Sequence, residues 1–499
     1  MSDSKTTKTR NHRAAGILMP IASLPSKDGI GSFGKEARIF VDMLADMGMR
    51  IWQILPLNPL GYGNSPYQPY SSYAGDEIYI DLDLLEEEGY LATGRKGYQS
   101  DDAPDRIDYG KAKAYKDNYL REVYHNFYEK SWNNTDFEKF REKDWVYPYA
   151  VFMALKKQNG LRCWNEWPRA QQDWILDRAY DISHLQDEIQ YQMFLQYTFY
   201  RQWKALKGYA NRKNVKIMGD IPIYVGIDSL DVWSCRENFL LDAEGKPSVV
   251  AGVPPDYFSA TGQRWGNPIY NWDNLEKEGF AFWVNRLKYS NELYDILRID
   301  HFRAFDTYWK IPASCDTAIE GEWVEAPGYK LFDELYRKLP KLKIVAEDLG
   351  DLRPEVLELR DHYHLMGMNI VEFSLLTSGE VKKHQLIYTG THDNQTVQGW
   401  YDSLDQKKKK EVRIRLRKYG MPWESIADKM VRYVYGSRAR LAIVPLADLI
   451  GAGDEARLNT PGTVGSPNWE WRLTDWSSVL RKKARIAKIV SKTARSPEK

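Results

Sequence analysis

Several acidic side chains stand at or near the ends of short apolar runs, in settings that suit chemistry on a polarised bond. Leu293 to Ile299 reads as a buried strand, and at its end Arg298-Ile299-Asp300-His301-Phe302-Arg303 crowds four ionisable groups into six positions. Charge at the lip of a strand is costly to bury unless it is paired. Arg298 and Arg303 on either side of Asp300 are expected to hold it as a carboxylate, the form that acts as a nucleophile. Leu342 to Ala346 ends in Glu347-Asp348, where desolvation and an adjacent like charge favour a carboxyl that keeps its proton near neutrality. Asp220 lies in the apolar run Val215 to Val225, and Asp393 follows Gln385 to Gly390, with His301 and His392 placed as hydrogen-bond donors. An ionised carboxylate facing a protonated one suits glycosidic cleavage, and a third acid can hold sugar hydroxyls and stabilise positive charge on the ring. Each cluster taken singly also fits a surface ion pair; recurrence at strand ends is what favours a site.

The elements that must position these groups follow from hydrophobic patterning. Eight apolar runs read as strands: Ala15–Pro20, Ile51–Leu57, Val215–Val225, Leu293–Ile299, Leu342–Ala346, Met368–Phe373, Gln385–Gly390 and Arg440–Leu446. Continuous apolar runs point to parallel strands covered on both faces. Helical spacing, as at Phe40, Val41, Leu44 and Met47 before Gly48, separates them. The predicted fold is an α/β (β/α)8 TIM barrel, in which catalytic groups gather at the carboxyl ends of the strands. Residues 1–13 are read as a disordered arm, 14–475 as one barrel domain with large, mostly helical insertions at about 82–214 and 226–290, and 476–499 as a basic C-terminal helix that frays. The stripe Leu195, Phe199, Trp203 and Leu206 is read as core, and Val249 to Trp272 as an irregular lid rich in aromatics and amides.

Composition removes several classes of function. A net charge of +1 gives no reason to expect nucleic acid or an anionic membrane as partner. Cys163, Cys235 and Cys315 are too far apart for a zinc site or disulfide framework and suit a reducing compartment. No run approaches the roughly 18 apolar residues of a membrane span. A cytoplasmic protein is expected, acting as a monomer or weak homo-oligomer, with no cofactor and no metal.

Read together, the motifs resemble a known family. Arg298-Ile299-Asp300-His301-Phe302-Arg303, Ala346-Glu347-Asp348-Leu349-Gly350, Thr391-His392-Asp393-Asn394, Gly219 to Val225, Pro254 to Pro268 and Tyr62-Gly63-Asn64-Ser65-Pro66-Tyr67 are similar to those of the amylomaltases, the 4-α-glucanotransferases of glycoside hydrolase family 77. The likeness runs from about Ala15 to Leu473, and the absence of a terminal β-sandwich domain fits it. It implies Asp300 as nucleophile, Glu347 as general acid/base and Asp393 as transition-state stabiliser. It also implies that Asp220, Arg298, His301 and His392 contact the sugar at the cleavage point. Ser65, Tyr67, Asp256, Phe258, Trp265 and Asn267 would line the path of maltooligosaccharides and longer α-1,4-glucans. Asn459 to Thr463 and Asn468-Trp469 also resemble the family, although Ser466-Pro467 stands where Gly-Asn-Trp would lead with glycine. An α-1,4-glucan hydrolase, a metal-dependent barrel isomerase ligated by Asp220, Glu347 and Asp393, and an inactive glucan-binding protein are the competing readings.

Overall fold

Parallel strands close into a barrel in the computed structural model, which describes residues 13–99, 103–131, 134–255, 259–377 and 379–495. They are β1 (Ala14–Leu18), β2 (Ile51–Gln53), β3 (Lys216–Ile221), β4 (Ile296–Ile299), β5 (Ile344–Ala346), β6 (Gly367–Ile370), β7 (Gln385–Tyr388) and β8 (Leu441–Pro445). Each pairs with its neighbours in sequence order, and β8 returns to β1 with Ala14 opposite Leu441. The remaining seam, β5 to β6, is joined by a parallel bridge between Val345 and Met366 and by the Ala346 N–H donating to the Met366 carbonyl at 2.9 Å. The strand residues are almost wholly buried, as expected of a sheet enclosed by its own curvature and by outer helices. Inside, the Tyr388 hydroxyl of β7 donates to Gln53 Oε1 of β2 at 2.7 Å. Gly219 in β3 is dictated by a close approach, since a Cβ there would lie 2.3 Å from the Tyr294 ring.

Every strand is shorter than its apolar run, and two of them end for visible local reasons. Pro222 follows β3 directly and has no N–H for a ladder, so the run to Val225 leaves the sheet. The sixth strand stops at Ile370, and Val371–Ser374 form a helical turn, which removes Glu372 and Phe373 from the strand.

Between β2 and β3 lies a helical block that includes Tyr109–Ser131, Val146–Gln158 and Gln186–Arg212. Leu195, Phe199, Trp203 and Leu206 on the last of these are at most 1% exposed, so the stripe is core. Val249 to Trp272, expected as an irregular lid, contains two strands. Val249–Val253 pairs antiparallel with Gln263–Pro268 and, on its other edge, with Thr307–Pro312, which carries Glu322–Glu325. Five- and six-residue strands interrupted by Gly252 and Gly266 carry little periodicity, and one partner comes from beyond β4, so local pattern does not reveal them.

The C-terminal helix, Ser477–Lys492, is also more firmly attached than a fraying solvated helix. Val479, Ile486 and Val490 are buried, and Lys482 and Arg485 pair with Asp428. Beyond it Arg495 is 0% exposed and donates to the carbonyls of Tyr435 (2.7 Å), Ala14 (3.0 Å), Ser437 (3.0 Å), Ala439 (2.8 Å) and Arg440 (3.3 Å), at the amino ends of β1 and β8. Arg495→Met would remove these bonds; the Arg440 and Ser437 carbonyls keep the Ala14 N–H and the Arg13 guanidinium as donors, and the others lose the one this side chain supplies. At about 1–3 kcal/mol for a buried group left unpaired, the unfolding free energy should fall by several kcal/mol and the urea midpoint with it, with activity of the folded enzyme intact. A midpoint unchanged would refute the clamp. Of the expected arm 1–13, Arg13 is described and bonds the Ser437 carbonyl; residues 1–12 and 496–499 lie outside the described residues.

Candidate active site

The predicted acids converge on the carboxyl end of the barrel. Asp220 is the penultimate residue of β3, Asp300 and Glu347 immediately follow β4 and β5, and Asp393 lies in the turn after β7. Ile299 is the register partner of Ala346, so Asp300 and Glu347 leave neighbouring strands side by side. Their attachment is mutual: the N–H of His301 donates to Glu347 Oε2 at 2.8 Å, and the Phe302 N–H donates to the Glu347 carbonyl. His301 adopts a left-handed backbone (φ 51°, ψ 49°) to aim that N–H, a conformation costing a non-glycine residue about 1–3 kcal/mol.

Arg298 is the central cation. Only 2% exposed, it donates from Nη1 to Asp220 Oδ1 (2.7 Å) and Oδ2 (2.8 Å) and lies 2.9 Å from Asp300 Oδ1. Burial opposes its charge, but Asp220 and Asp300 overcome this and raise it well above the usual guanidinium value. Arg303, expected on the other side of Asp300, turns away. It donates to the Asp351 carbonyl at 2.7 Å and lies over the Trp323 ring at 3.9 Å. The left-handed turn at His301 and the short helical turn Phe302–Phe305 carry it outward.

The Glu347 carboxyl is pushed up to about 7 by desolvation first and Asp300 second, against Arg298 and the N–H donors of His301 and Leu349. The like charge responsible is therefore Asp300 rather than the adjacent Asp348. Asp348 points to the opposite side, as successive residues in extended chain do, where it pairs with Arg360 and accepts from the Met368 N–H at 2.7 Å.

Asp393 is held differently. Desolvation works to raise its carboxyl, but His392 and then Asn459 and Arg298 outweigh it and hold it down at about 2. His392 Nε2 is 3.4 Å from Asp393 Oδ2, and Asn459 Nδ2 donates to Oδ1 at 2.6 Å. Burial disfavours a charged His392, yet Asp393 outweighs burial and raises it. Tyr67 joins the groups: its hydroxyl donates to Asp220 Oδ2 at 3.0 Å and lies 2.8 Å from His392 Nε2. With its one proton given to Asp220, Tyr67 accepts from His392, which places a proton on Nε2. The two rings stack at 5.2 Å, and Trp469 packs against both. Asp220 itself is raised by burial, against Arg298. His301 is lowered to about 4 by burial, so it stays neutral and its ring meets Trp265 edge-on at 4.9 Å.

The other predicted residues occupy more peripheral places. Ser65 Oγ accepts from the Tyr67 N–H at 3.3 Å and shapes that loop. The Asn267 amide is buried and donates to the Val225 carbonyl at 2.9 Å, fastening the small sheet to the end of the third strand run. Asp256 and Phe258 lie outside the described residues. Asn468 closes a turn, its Oδ1 accepting from the Thr460 N–H and its Nδ2 donating to Thr463 Oγ1, both at 2.9 Å. Arg457, which no sequence motif marked, donates to the carbonyls of Asp393 (2.9 Å) and Asn459 (2.8 Å). Among the described residues no group of three or more His, Cys, Asp or Glu is placed to hold a metal ion. Nor, among them, is any helix long and apolar enough to cross a membrane.

Known proteins resemble this chain along nearly its whole length. The sequence model of glycoside hydrolase family 77, 4-alpha-glucanotransferase, matches residues 19–478. The chain is 43% identical over 502 residues to the 4-alpha-glucanotransferase of Thermus thermophilus, spanning 97% of this chain and 99% of that one. It is 43% identical over 478 residues to the enzyme of Clostridium butyricum, spanning 92% and 96%. Its fold superposes with a TM-score of 0.92 on the amylomaltase from Streptococcus agalactiae in complex with acarbose, at 36% identity over 97% of this chain and 100% of that one. With the family model and these relatives each spanning more than nine-tenths of the residues, the chain belongs to the 4-alpha-glucanotransferases of glycoside hydrolase family 77.

Proposed function

We propose that this enzyme moves segments of α-1,4-glucan from a donor to an acceptor glucan or glucose by double displacement, with Asp300 as nucleophile and Glu347 as acid/base. The observation carrying this assignment is that Asp300 and Glu347 follow register partners on adjacent strands, with Arg298 on the first and a protonated carboxyl favoured at the second. Neighbouring strands run about 4.7–4.9 Å apart, which suits the roughly 5–5.5 Å between carboxyls of a retaining pair.

Asp300 attacks the anomeric carbon as its bond to the bridging oxygen breaks, and Glu347 passes its proton to that oxygen. A glycosyl ester on Asp300 results. The acceptor hydroxyl then attacks the same carbon, gives its proton to the Glu347 carboxylate, and returns Asp300 to its free form. Asp393 faces the positive charge that develops at the ring in both steps. Asp220, Arg298, His301, His392 and Tyr67 contact the sugar at the cleavage point. Ser65, Trp265, Asn267, Asp256 and Phe258 belong to the longer glucan path. The likeness to an amylomaltase that binds acarbose supports an α-glucan in this cleft. All three cysteines are free thiols, which suits the cytoplasm, and we take a monomer or weak homo-oligomer to be the working form.

Transfer and hydrolysis share the glycosyl ester and differ in what resolves it. Purified enzyme given maltotriose should release glucose together with oligosaccharides longer than the substrate. Glucose and maltose alone would establish the hydrolase instead.

A further inference from the structure

Asp393 is held by the segment Arg457 to Thr460, which belongs to no barrel strand. Its carboxylate has two oxygens. His392 faces Oδ2, and Asn459 donates to Oδ1 at 2.6 Å. The backbone is joined as well, with the Asn459 N–H donating to the His392 carbonyl at 3.0 Å. Arg457 bridges the same two pieces of chain, through Nη2 to the Asp393 carbonyl and Nε to the Asn459 carbonyl. The far side of this segment is anchored in turn: Ala456 and Leu458 are buried, the Trp469 N–H donates to the Leu458 carbonyl at 2.6 Å, and Asn468 accepts from the Thr460 N–H.

We propose that Asn459, braced by Arg457, is the positioning residue that orients the Asp393 carboxylate toward the charge developing at the sugar ring. The proposal rests on the assignment of Asp393 given above. An exposed aspartate on a turn can rotate about two side-chain torsions, and each rotamer not aimed at the ring is wasted in the transition state. A hydrogen bond from a neutral amide removes that freedom without neutralising the charge, and charge-assisted bonds of this type are the stronger kind. Preorganisation of that sort acts on the transition state more than on the bound ground state. The same network gives Asn468 a role as anchor of the bracing segment.

The test is kinetic. Asn459→Ala is expected to lower kcat on maltotriose by about 10–100-fold, the worth of one charge-assisted bond, while KM changes by less than about 3-fold. Inhibition by acarbose, whose protonated amine mimics the charged ring, should weaken by a similar factor. Asn459→Asp keeps size and shape, so it tests the idea even where the alanine variant folds poorly. It sets a second carboxyl against Asp393, and two so close cannot both stay ionised. Its activity relative to the parent should therefore rise as pH falls from 7 toward 5, when the introduced carboxyl takes a proton and can donate. A purely structural contact would lower stability without that rise and without a kcat-selective loss. An inactive Asp393→Ala with parent-like Asn459→Ala and Asn459→Asp would overturn this proposal alone. A fully active Asp393→Ala would overturn the assignment beneath it.

Discussion

Asp300→Asn should leave less than about one part in 10⁴ of the transfer rate, comparable to other enzymes stripped of their nucleophile. The reason is specific to the site. Asparagine has the same shape and can still lie near Arg298, which is held in place by two contacts to Asp220, so the barrel mouth should stay assembled. What is lost is the negative oxygen that forms the glycosyl ester. The check is glucose release from maltotriose together with mass spectrometry of enzyme quenched during turnover. The parent should carry a glycosyl adduct on the peptide containing residue 300, and the variant none. More than a tenth of parental activity in Asp300→Asn, or an adduct mapped elsewhere, would end the double-displacement assignment. Arg298→Ala would be a less clean probe, because breaking a buried ion pair costs about 3–5 kcal/mol and folding would suffer first.

For Glu347→Gln the expected loss is about 10²–10⁴-fold, the usual contribution of a general acid/base, and its signature lies in the substrate and the pH. A donor such as α-maltosyl fluoride needs no proton on departure, so the first step should survive in the variant while the second, which needs a base, stays slow. The glycosyl ester should then accumulate. The parent's pH profile carries the complementary sign. Desolvation and the Asp300 charge lift the Glu347 carboxyl to about 7, so the acid form predominates below that value and is lost above it. kcat/KM should decline as pH rises through about 7, and Glu347→Gln should lack that alkaline limb. An unaltered limb in the variant would assign the titration to another group. His301 is unsuited to be that group, being held neutral down to about 4. His392 is the alternative, because Asp393 stabilises its charge and raises it above the ordinary histidine value, and a limb that persists in Glu347→Gln would point to it.

Much of this was legible in the chain before any coordinates. The acids at the ends of β4 and β5 announce themselves because an ionisable cluster directly after a buried run is a local signal, and so is the run itself. The pairing of Glu347 with a like charge was foreseen, but the partner was not. Adjacent residues in extended chain face opposite ways, which sends Asp348 to Arg360 and leaves Asp300, across the register, as the neighbour that matters. Arg303 misled for a related reason. Three residues from Asp300 in sequence, it is carried away by the turn at His301, and Trp323 receives it. Long-range polar contacts leave little trace: Arg457 belongs to no recognisable motif, and Asn459 is visible only as part of one, with nothing to say that it meets Asp393.

The sequence by itself determined the barrel, the order of its strands and which side chains stand at their ends, because buried parallel strands must be written as continuous apolar runs and charge tolerated beside them must be written next to them. Only the tertiary structure decided which charge meets which. Arg298 reaches Asp220 across 78 positions, Tyr67 reaches Asp220 across 153, Asn459 reaches Asp393 across 66, and Arg495 reaches Ala14 across 481. Such contacts depend on side-chain direction and on chain closure, and neither quantity has a period that a linear pattern can carry.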